Sequence, residues 1–231
     1  LPEPVPRIFE WTSLSRCPLE ASMLFSCETL LSFFLASLIL GLAPGPDNIF
    51  VLTQSALYGV RAGLSTTLGL VAGLCAHTTA VALGVAVIFQ QSALAFTVLK
   101  IVGAAYLLYL AWLSFRSGSA RAFLETRPFP GHAALWRRGV IMNVTNPKVS
   151  LFFLAFLPQF ADPARGSLPL QILLLGIVFM VATLLVFGAV ALLGGRLAAW
   201  FNRSPRGQML INRVAGCVFT VLALALLFSH R

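Results

Sequence analysis

The sequence predicts an all-α membrane protein: six transmembrane helices arranged as two inverted three-helix repeats, the first helix of each repeat broken at a proline. Three observations carry this. Of the 231 residues, 58% are hydrophobic and only 10% are charged, where a soluble domain carries about 25% charged residues. Six apolar stretches approach or exceed the roughly 20 residues that cross a bilayer as a helix. The first stretch of each half contains a proline followed directly by a charge, Pro46-Asp47 in one and Pro147-Lys148 in the other. Helix is the default conformation because lipid cannot satisfy an open backbone.

The first span runs from about Leu30 to Tyr58 and contains the break Pro44-Gly45-Pro46. The second covers about Gly63 to Phe89, and the third about Ala93 to Phe115. After a polar, basic loop, the fourth runs from about Gly139 to Phe160 and is interrupted by Asn146-Pro147-Lys148. The fifth covers about Leu168 to Gly195 and the sixth about Val214 to Ser229. Residues 1–28 form an N-terminal extension expected to be poorly ordered. Its first 22 residues hold Pro2, Pro4, Pro6 and Pro18, three glutamates and no apolar core suited to a signal peptide. Either Met23 is the natural start or residues 1–22 are a loose extension. Residues 29–231 then form a single six-span domain, with halves of about 29–115 and 139–230.

Orientation follows from the Lys and Arg residues of the connections. One face receives Arg61, Arg116, Arg121, Arg127, Arg137, Arg138, Arg196, Arg203, Arg206 and Arg213; the other receives Arg7, Arg16, Arg165 and Arg231. The positive-inside rule puts the richer face in the cytoplasm and both termini outside. Trp112, Trp136 and Trp200 fall at span ends on that same face, where indoles prefer to sit. Three spans per half make the halves run in opposite directions, the parity that inverted repeats require.

The breaks have a chemical meaning. A proline removes a backbone donor and collides with the carbonyl four residues back, so the helix opens. Pro44 lies 14 residues after Leu30, about 21 Å along a helix and well inside a hydrocarbon core about 30 Å thick. Irregular backbone at that depth is tolerated only where it is buried in protein or lines a cavity. A new helix starting near Asp47 offers free N–H groups and a positive dipole end to an anion such as an amino-acid carboxylate. The carbonyls before the break offer acceptors to an ammonium group. Together they suit a zwitterion.

Asp47 is the one acidic residue inside a predicted span. A carboxylate at mid-bilayer costs at least about 2.5–3.5 kcal/mol, so it needs a cationic partner, a capping role or a proton. Lys148, at the matching place in the other half, is the natural partner. Asp47 then either caps the new helix within an ion pair or handles substrate or protons directly. Asn48 follows it, and Asn143, Thr145 and Asn146 add polar groups near the second break. His77, mid-span beside Thr78 and Thr79, suits either a proton relay or a neutral histidine bonded to a neighbouring helix. Lys100 lies near a span end, where its ammonium can snorkel outward. Gly69, Gly73, Ala76, Ala80 and Gly84 form a small-residue stripe read as close helix packing. Gln54 and Gln159 lie within or beside the broken spans.

With these residues in place, the chain resembles the LysE/RhtB family of amino-acid exporters, the homoserine-, threonine- or leucine-type efflux proteins. The resemblance rests on "LAPGPDNIFVLTQSALYGVRAGLSTTLGLVAGLCAHTTAVALGV", "LKIVGAAYLLYLAWLSFRS" and "RRGVIMNVTNPKVSLFFLAFLPQF". It covers most of the first four spans. The last two match only in hydropathy and length, and residues 1–28 do not match. It implies a bacterial inner-membrane protein that exports amino acids or close derivatives by proton antiport, using the proton-motive force. Carried across residue by residue, it points to Pro44, Gly45, Pro46, Asp47, Asn48, His77, Asn146, Pro147 and Lys148 as the substrate-binding and coupling positions. A lone acid facing two lysines at depth favours a neutral or small polar amino acid over a cationic one.

The expected partners are the amino-acid substrate, protons and membrane lipids, with room for a homo-oligomer. Nucleic acid is not among them: although the net charge is +9, the charges lie where anionic cytoplasmic lipids would meet them. No cofactor is expected and no metal. The chain has no GxxxxGK[ST] loop, no HExxH and no cysteine pair at zinc spacing. A membrane-embedded enzyme would need a nucleophile, base or metal set at depth. One aspartate and one histidine are too few for a metal, and no serine stands in a nucleophile setting. The remaining alternative is a passive channel or structural membrane subunit.

Overall fold

The structure, a computed structural model, describes residues 24–91, 93–117 and 128–228. Arg7, Arg16, Arg121, Arg127 and Arg231 of the charge pattern, Met23 and the extension up to residue 23 lie outside the described residues. The rest is helical, with no strand among the described residues: α1 (Cys27–Leu42), α2 (Pro46–Tyr58), α3 (Val60–Gln91), α4 (Ala93–Arg116), α5 (His132–Thr145), α6 (Pro147–Leu151), α7 (Leu168–Arg203) and α8 (Pro205–Phe228).

Three helices contain stretches long and apolar enough to cross a membrane: Val60–Gly84 in α3, Leu168–Gly194 in α7 and Arg206–Phe228 in α8. Two bent pairs pass the same criterion only when taken together. The α1–α2 pair bends by 62° and the pair formed by α5 with Pro147–Phe160 bends by 50°. Counting each bent pair as one gives five candidate spans.

Prolines set both bends. The residue before a proline is pushed out of the helical region, and Ala43, Gly45 and Asn146 all have extended ψ values, of 120°, 179° and 108°. Pro46 and Pro147 then open the next helices at their first position, where a missing N–H costs nothing. A further irregularity was not foreseen in the sequence. After Leu151 the chain widens into one π-type turn, Phe152–Phe156, and tightens into a 3₁₀ turn, Leu157–Phe160. Pro158 is the physical cause, because it withdraws the N–H that would bond the carbonyl of Leu154.

Several helices outrun their hydropathy. α5 begins at His132 rather than Gly139, α7 continues to Arg203, and α8 begins at Pro205 rather than Val214. Hydropathy marks only the apolar part of a helix, whereas the backbone ladder continues into the polar zone. The start signals were present in the chain. Gly131 adopts φ +88° at the head of α5, and Ser204 Oγ accepts from Gly207 N at 3.1 Å ahead of Pro205. Arg137, Arg138, Arg206 and Arg213 therefore stand on helices rather than in loops.

α3 packs against α5 and α7, α2 against α3 and α7, and α4 against α8. The core is aromatic where the broken elements meet: Phe33, Phe152, Phe153 and Phe219 are at most 1% exposed. Large apolar side chains also face outward all round, among them Leu83, Leu94, Leu192 and Val221, as lipid-facing helices require. The small-residue stripe divides. A Cβ on Gly69 would stand 2.1 Å from the Trp136 carbonyl, and one on Gly73 2.8 Å from Asn143, so these two glycines admit α5. Ala76 and Ala80 are exposed, and a Cβ on Gly84 would meet nothing within 4 Å. The stripe is a packing surface only over its first turns, because α5 ends at its own break.

Gly69→Val should accordingly lower thermal stability in detergent, by about 1–3 kcal/mol for overpacking against backbone. Gly84→Ala should be neutral or raise it by up to about 1 kcal/mol through helix propensity. Equal effects of the two substitutions would contradict the close α3–α5 approach.

Candidate functional site

A helix that stops in a membrane leaves its last carbonyls without intrahelical donors. At the end of α1, two of these carbonyls are taken by side chains. Asn48 Nδ2 donates to Gly41 O at 2.7 Å, and Lys148 Nζ donates to Ala43 O at 2.9 Å. The lysine comes from the second break. Gly45 permits its approach, since a Cβ there would stand 3.3 Å from Nζ. The sequence suggests that these carbonyls would receive an ammonium group, and here the ammonium is the protein's own.

The second break is served from the first half. Pro147 withdraws the N–H that would have bonded the Asn143 carbonyl four residues back. His77 Nε2 lies 3.2 Å from that oxygen. A carbonyl only accepts, so Nε2 carries the proton. The Asn143 carbonyl also accepts from Asn146 N at 3.0 Å. Asn146 caps α6, its Oδ1 accepting from Lys148 N at 3.0 Å. Each break is thus capped by a nitrogen from the other half: Lys148 on Ala43, His77 on Asn143.

Asp47 sits in the first turn of α2 and is 4% exposed, while Lys148 is 8% exposed. The first turn of a helix favours a carboxylate. The side chains of Asn146 and Asn143 flank this one, and Lys148 and His77 are near enough to interact with it electrostatically. No ion pair within 4 Å joins Asp47 to Lys148 among the described residues.

Four buried side-chain polar atoms among the described residues lack a hydrogen-bond partner: Asp47 Oδ1, Asn48 Oδ1, Asn143 Oδ1 and Asn146 Nδ2. All four belong to the breaks. Two amide orientations are fixed by the bonds already made. Asn48 donates with its nitrogen, so it presents oxygen; Asn146 accepts with its oxygen, so it presents nitrogen. Buried polar groups without partners are uncommon and call for an explanation. Three are acceptors suited to an ammonium group, and the one donor, Asn146 Nδ2, is suited to a carboxylate and lies beside that of Asp47.

Residues around the cluster have structural work. Ser55 Oγ donates to the Ala191 carbonyl, fastening α2 to α7. Thr78 Oγ1 donates to Leu74 O at 2.8 Å within α3, and Thr79 is exposed. Gln54 is buried on α2. Lys100 Nζ donates to Leu227 O at 3.2 Å, in the last turn of α8. Asn143 is the site residue that the sequence singled out least. Its position four residues before Pro147 was the available signal.

A cavity of about 350 Å³ lies apart from this cluster, lined by Ser26, Glu28, Thr29, Gln159, Asp162 and Arg165 among others. Phe160 also lines it, and a file of rings runs inward from there. Phe160–Phe156, Phe156–Phe152 and Phe152–Phe153 have centroid separations of 5.2, 4.9 and 6.2 Å. Phe153 lies 5.7 Å from the His77 ring. The rings fill the space between the cavity and the breaks.

The family described as "LysE type translocator" matches residues 38–230. A homoserine/homoserine lactone efflux protein of Salmonella typhimurium is 34% identical over 200 residues, which is 87% of this chain and 96% of that protein. An uncharacterized membrane protein of Vibrio cholerae is 35% identical over 82% of this chain and 91% of its own length. A leucine efflux protein of Salmonella choleraesuis is 24% identical over 83% and 91% respectively. No solved structure gives a significant match.

The caps rank in a testable order. Asn48→Leu leaves Gly41 O without a donor and should cost about 1–3 kcal/mol of unfolding free energy in detergent. His77→Phe should cost less, because Asn143 O keeps the Asn146 N–H. The reverse ranking would contradict this assignment of partners.

Proposed function

The chain belongs to the LysE type translocator family, and on that premise we propose that it is a secondary active exporter of amino acids or close derivatives across the bacterial inner membrane. The proton-motive force drives it, and a neutral or small polar amino acid is the favoured substrate. The observation that carries this reading is the set of unpartnered buried atoms at the crossed breaks, three acceptors and one donor. An α-amino acid supplies the complement, an ammonium with three donors and a carboxylate with acceptors only. The efflux relatives named for homoserine and leucine favour neutral side chains.

Helix lengths and packing support two inverted halves within residues 29–231, α1–α4 and α5–α8. α3 and α7 are the longest helices, at 32 and 36 residues, and α4 and α8 have 24 each. A two-fold axis in the membrane plane would map the α3–α7 and α4–α8 contacts onto themselves. It would exchange the α3–α5 contact with that of α7 on α1 and α2. With α4 counted as a span, about 36 Å long at 1.5 Å per residue, the spans number six. Both termini then lie outside, and the arginine-rich helix ends face the cytoplasm.

In the mechanism we propose, the broken spans meet near the midplane, and the caps between them break and re-form as the site changes sides. Pro44, Gly45, Pro46 and Pro147 supply the opened backbone; Asn48, Asn146 and Lys148 hold the amino acid. Asp47 or His77 takes a proton in one orientation and releases it in the other. Coupling requires that proton and substrate each bind the two conformations with different affinity.

Inside-out vesicles with an imposed proton gradient and labelled amino acids test this. Wild type should accumulate one of them, and Asp47→Asn at matched membrane abundance should not. Gradient-driven accumulation by the variant would remove Asp47 from coupling, and flux insensitive to uncouplers would indicate a channel instead. Orientation has its own test in a variant lacking the native cysteines. A membrane-impermeant maleimide applied to intact spheroplasts should label Ser167→Cys and spare Ser117→Cys; the opposite pattern would invert the topology.

A further inference from the structure

The Lys148 ammonium and a substrate's α-ammonium are the same chemical group, and the first already occupies the acceptors suited to the second. Lys148 Nζ donates to Ala43 O at 2.9 Å, on a carbonyl freed by the first break. Asn48 Oδ1, buried and without a partner, borders the same Gly45 position as Lys148 Nζ: the two atoms lie 3.8 and 3.3 Å from the point a Gly45 Cβ would occupy. Asp47 Oδ1 also lacks a partner, yet Lys148 does not pair with that carboxylate within 4 Å. The lysine thus caps a neutral carbonyl while a buried carboxylate nearby keeps an open acceptor.

We propose that Lys148 is a tethered competitor for the substrate's amine seat: an incoming α-amino acid places its ammonium on Ala43 O and Asn48 Oδ1, and Lys148 swings away onto the substrate carboxylate. This rests on the exporter reading and names the substrate class of its site, an α-amino acid with both termini free. The exchange balances in charge. One ammonium replaces another at Ala43 O, and the displaced lysine gains the carboxylate the substrate brings. An amine without a carboxylate would leave two cations with the Asp47 carboxylate as their one nearby counter-charge. A carboxylate without an amine could not release the lysine. The Gly45 position has a role in this, since a side chain there would crowd Nζ on its way out. The exchange also links substrate arrival to the halves of the protein, because the Lys148–Ala43 bond that is broken is one that ties them together.

A lysine that only holds the substrate carboxylate and one that also competes for the amine seat differ in how they treat an amine that lacks the carboxylate. Equilibrium dialysis of radiolabelled L-homoserine, L-leucine and their carboxylate-free amino alcohols against protein in nanodiscs distinguishes them. Lys148→Met frees the seat and should bind the amino alcohol about tenfold more tightly than wild type, as removal of a competitor that fills the seat roughly nine-tenths of the time requires. Its binding of the amino acid should change less, because the variant loses the carboxylate partner together with the competitor. It should lose gradient-driven transport. Amino-alcohol binding that is unchanged or weaker in Lys148→Met, with wild-type binding of an amino acid intact, would overturn the proposal and leave the exporter reading standing. Binding of no amino acid by verified folded wild type would overturn both.

A second measurement needs no variant of the site. The chain contains two lysines, Lys100 and Lys148. Labelled with 13C at Cε, they give two NMR signals that Lys100→Arg assigns. The Lys148 signal should shift on addition of the amino acid that binds and stay in place with its N-acetyl derivative, while Lys100 is indifferent to both. A Lys148 signal that moves equally with both ligands, or with neither while the amino acid binds, would exclude displacement by the amine.

Discussion

A carbonyl that loses its helical donor inside lipid must find another, and this constraint organises the centre of the protein. Pro44, Pro46 and Pro147 create the carbonyls; the side chains of Asn48, Lys148 and His77 and the backbone N–H of Asn146 answer them. Because two of the answering groups come from the opposite half, the breaks are not independent defects in two helices. They are interlocked, and the polar cluster between them exists because they are. The close approach of α3 and α5 through Gly69, Gly73 and Gly139 holds His77 against Asn143 and so belongs to the same arrangement.

The strength of the interlock suits a moving part. A neutral hydrogen bond is worth about 0.5–1.5 kcal/mol net and one to a charged group about 1.5–3 kcal/mol. Two crossed caps therefore hold the breaks together by an amount comparable to the differential binding of a small ligand, and bound substrate or proton is able to tip the balance. A continuous hydrophobic seam at the same place would be harder to reopen, since its contacts are numerous and offer nothing a ligand could replace. The polar caps leave groups for a ligand to compete with.

The aromatic file adds a second consequence of irregular backbone. Between the 350 Å³ cavity and His77, the chain carries Phe152, Phe153, Phe156 and Phe160 on one π-type turn followed by one 3₁₀ turn. Ring packing against Phe33 and Phe179 fills this region. The departure from α-geometry traces to Pro158 and changes the spacing at which the rings project. The bulkiest part of the core thus lies on the least regular backbone, beside the polar cluster.

Much of this was legible in the chain. Six apolar stretches, the two proline breaks and Asp47 inside the first pointed to the helical class, the bends and the polar cluster at the breaks, because hydropathy and proline chemistry are local. The helix ends at His132 and Pro205 were less legible, since hydropathy stops where lipid stops and the backbone ladder does not. Two opposite charges at matching breaks suggest that Asp47 pairs with Lys148, yet among the described residues the lysine donates to Ala43 O instead. Partner choice depends on where a long side chain ends up, and 105 residues separate these two positions. The sequence by itself determined that carbonyls would be freed at depth and that polar groups would gather near them. Only the tertiary structure decided which nitrogen met which carbonyl, because that depends on how closely the two halves approach through their glycines.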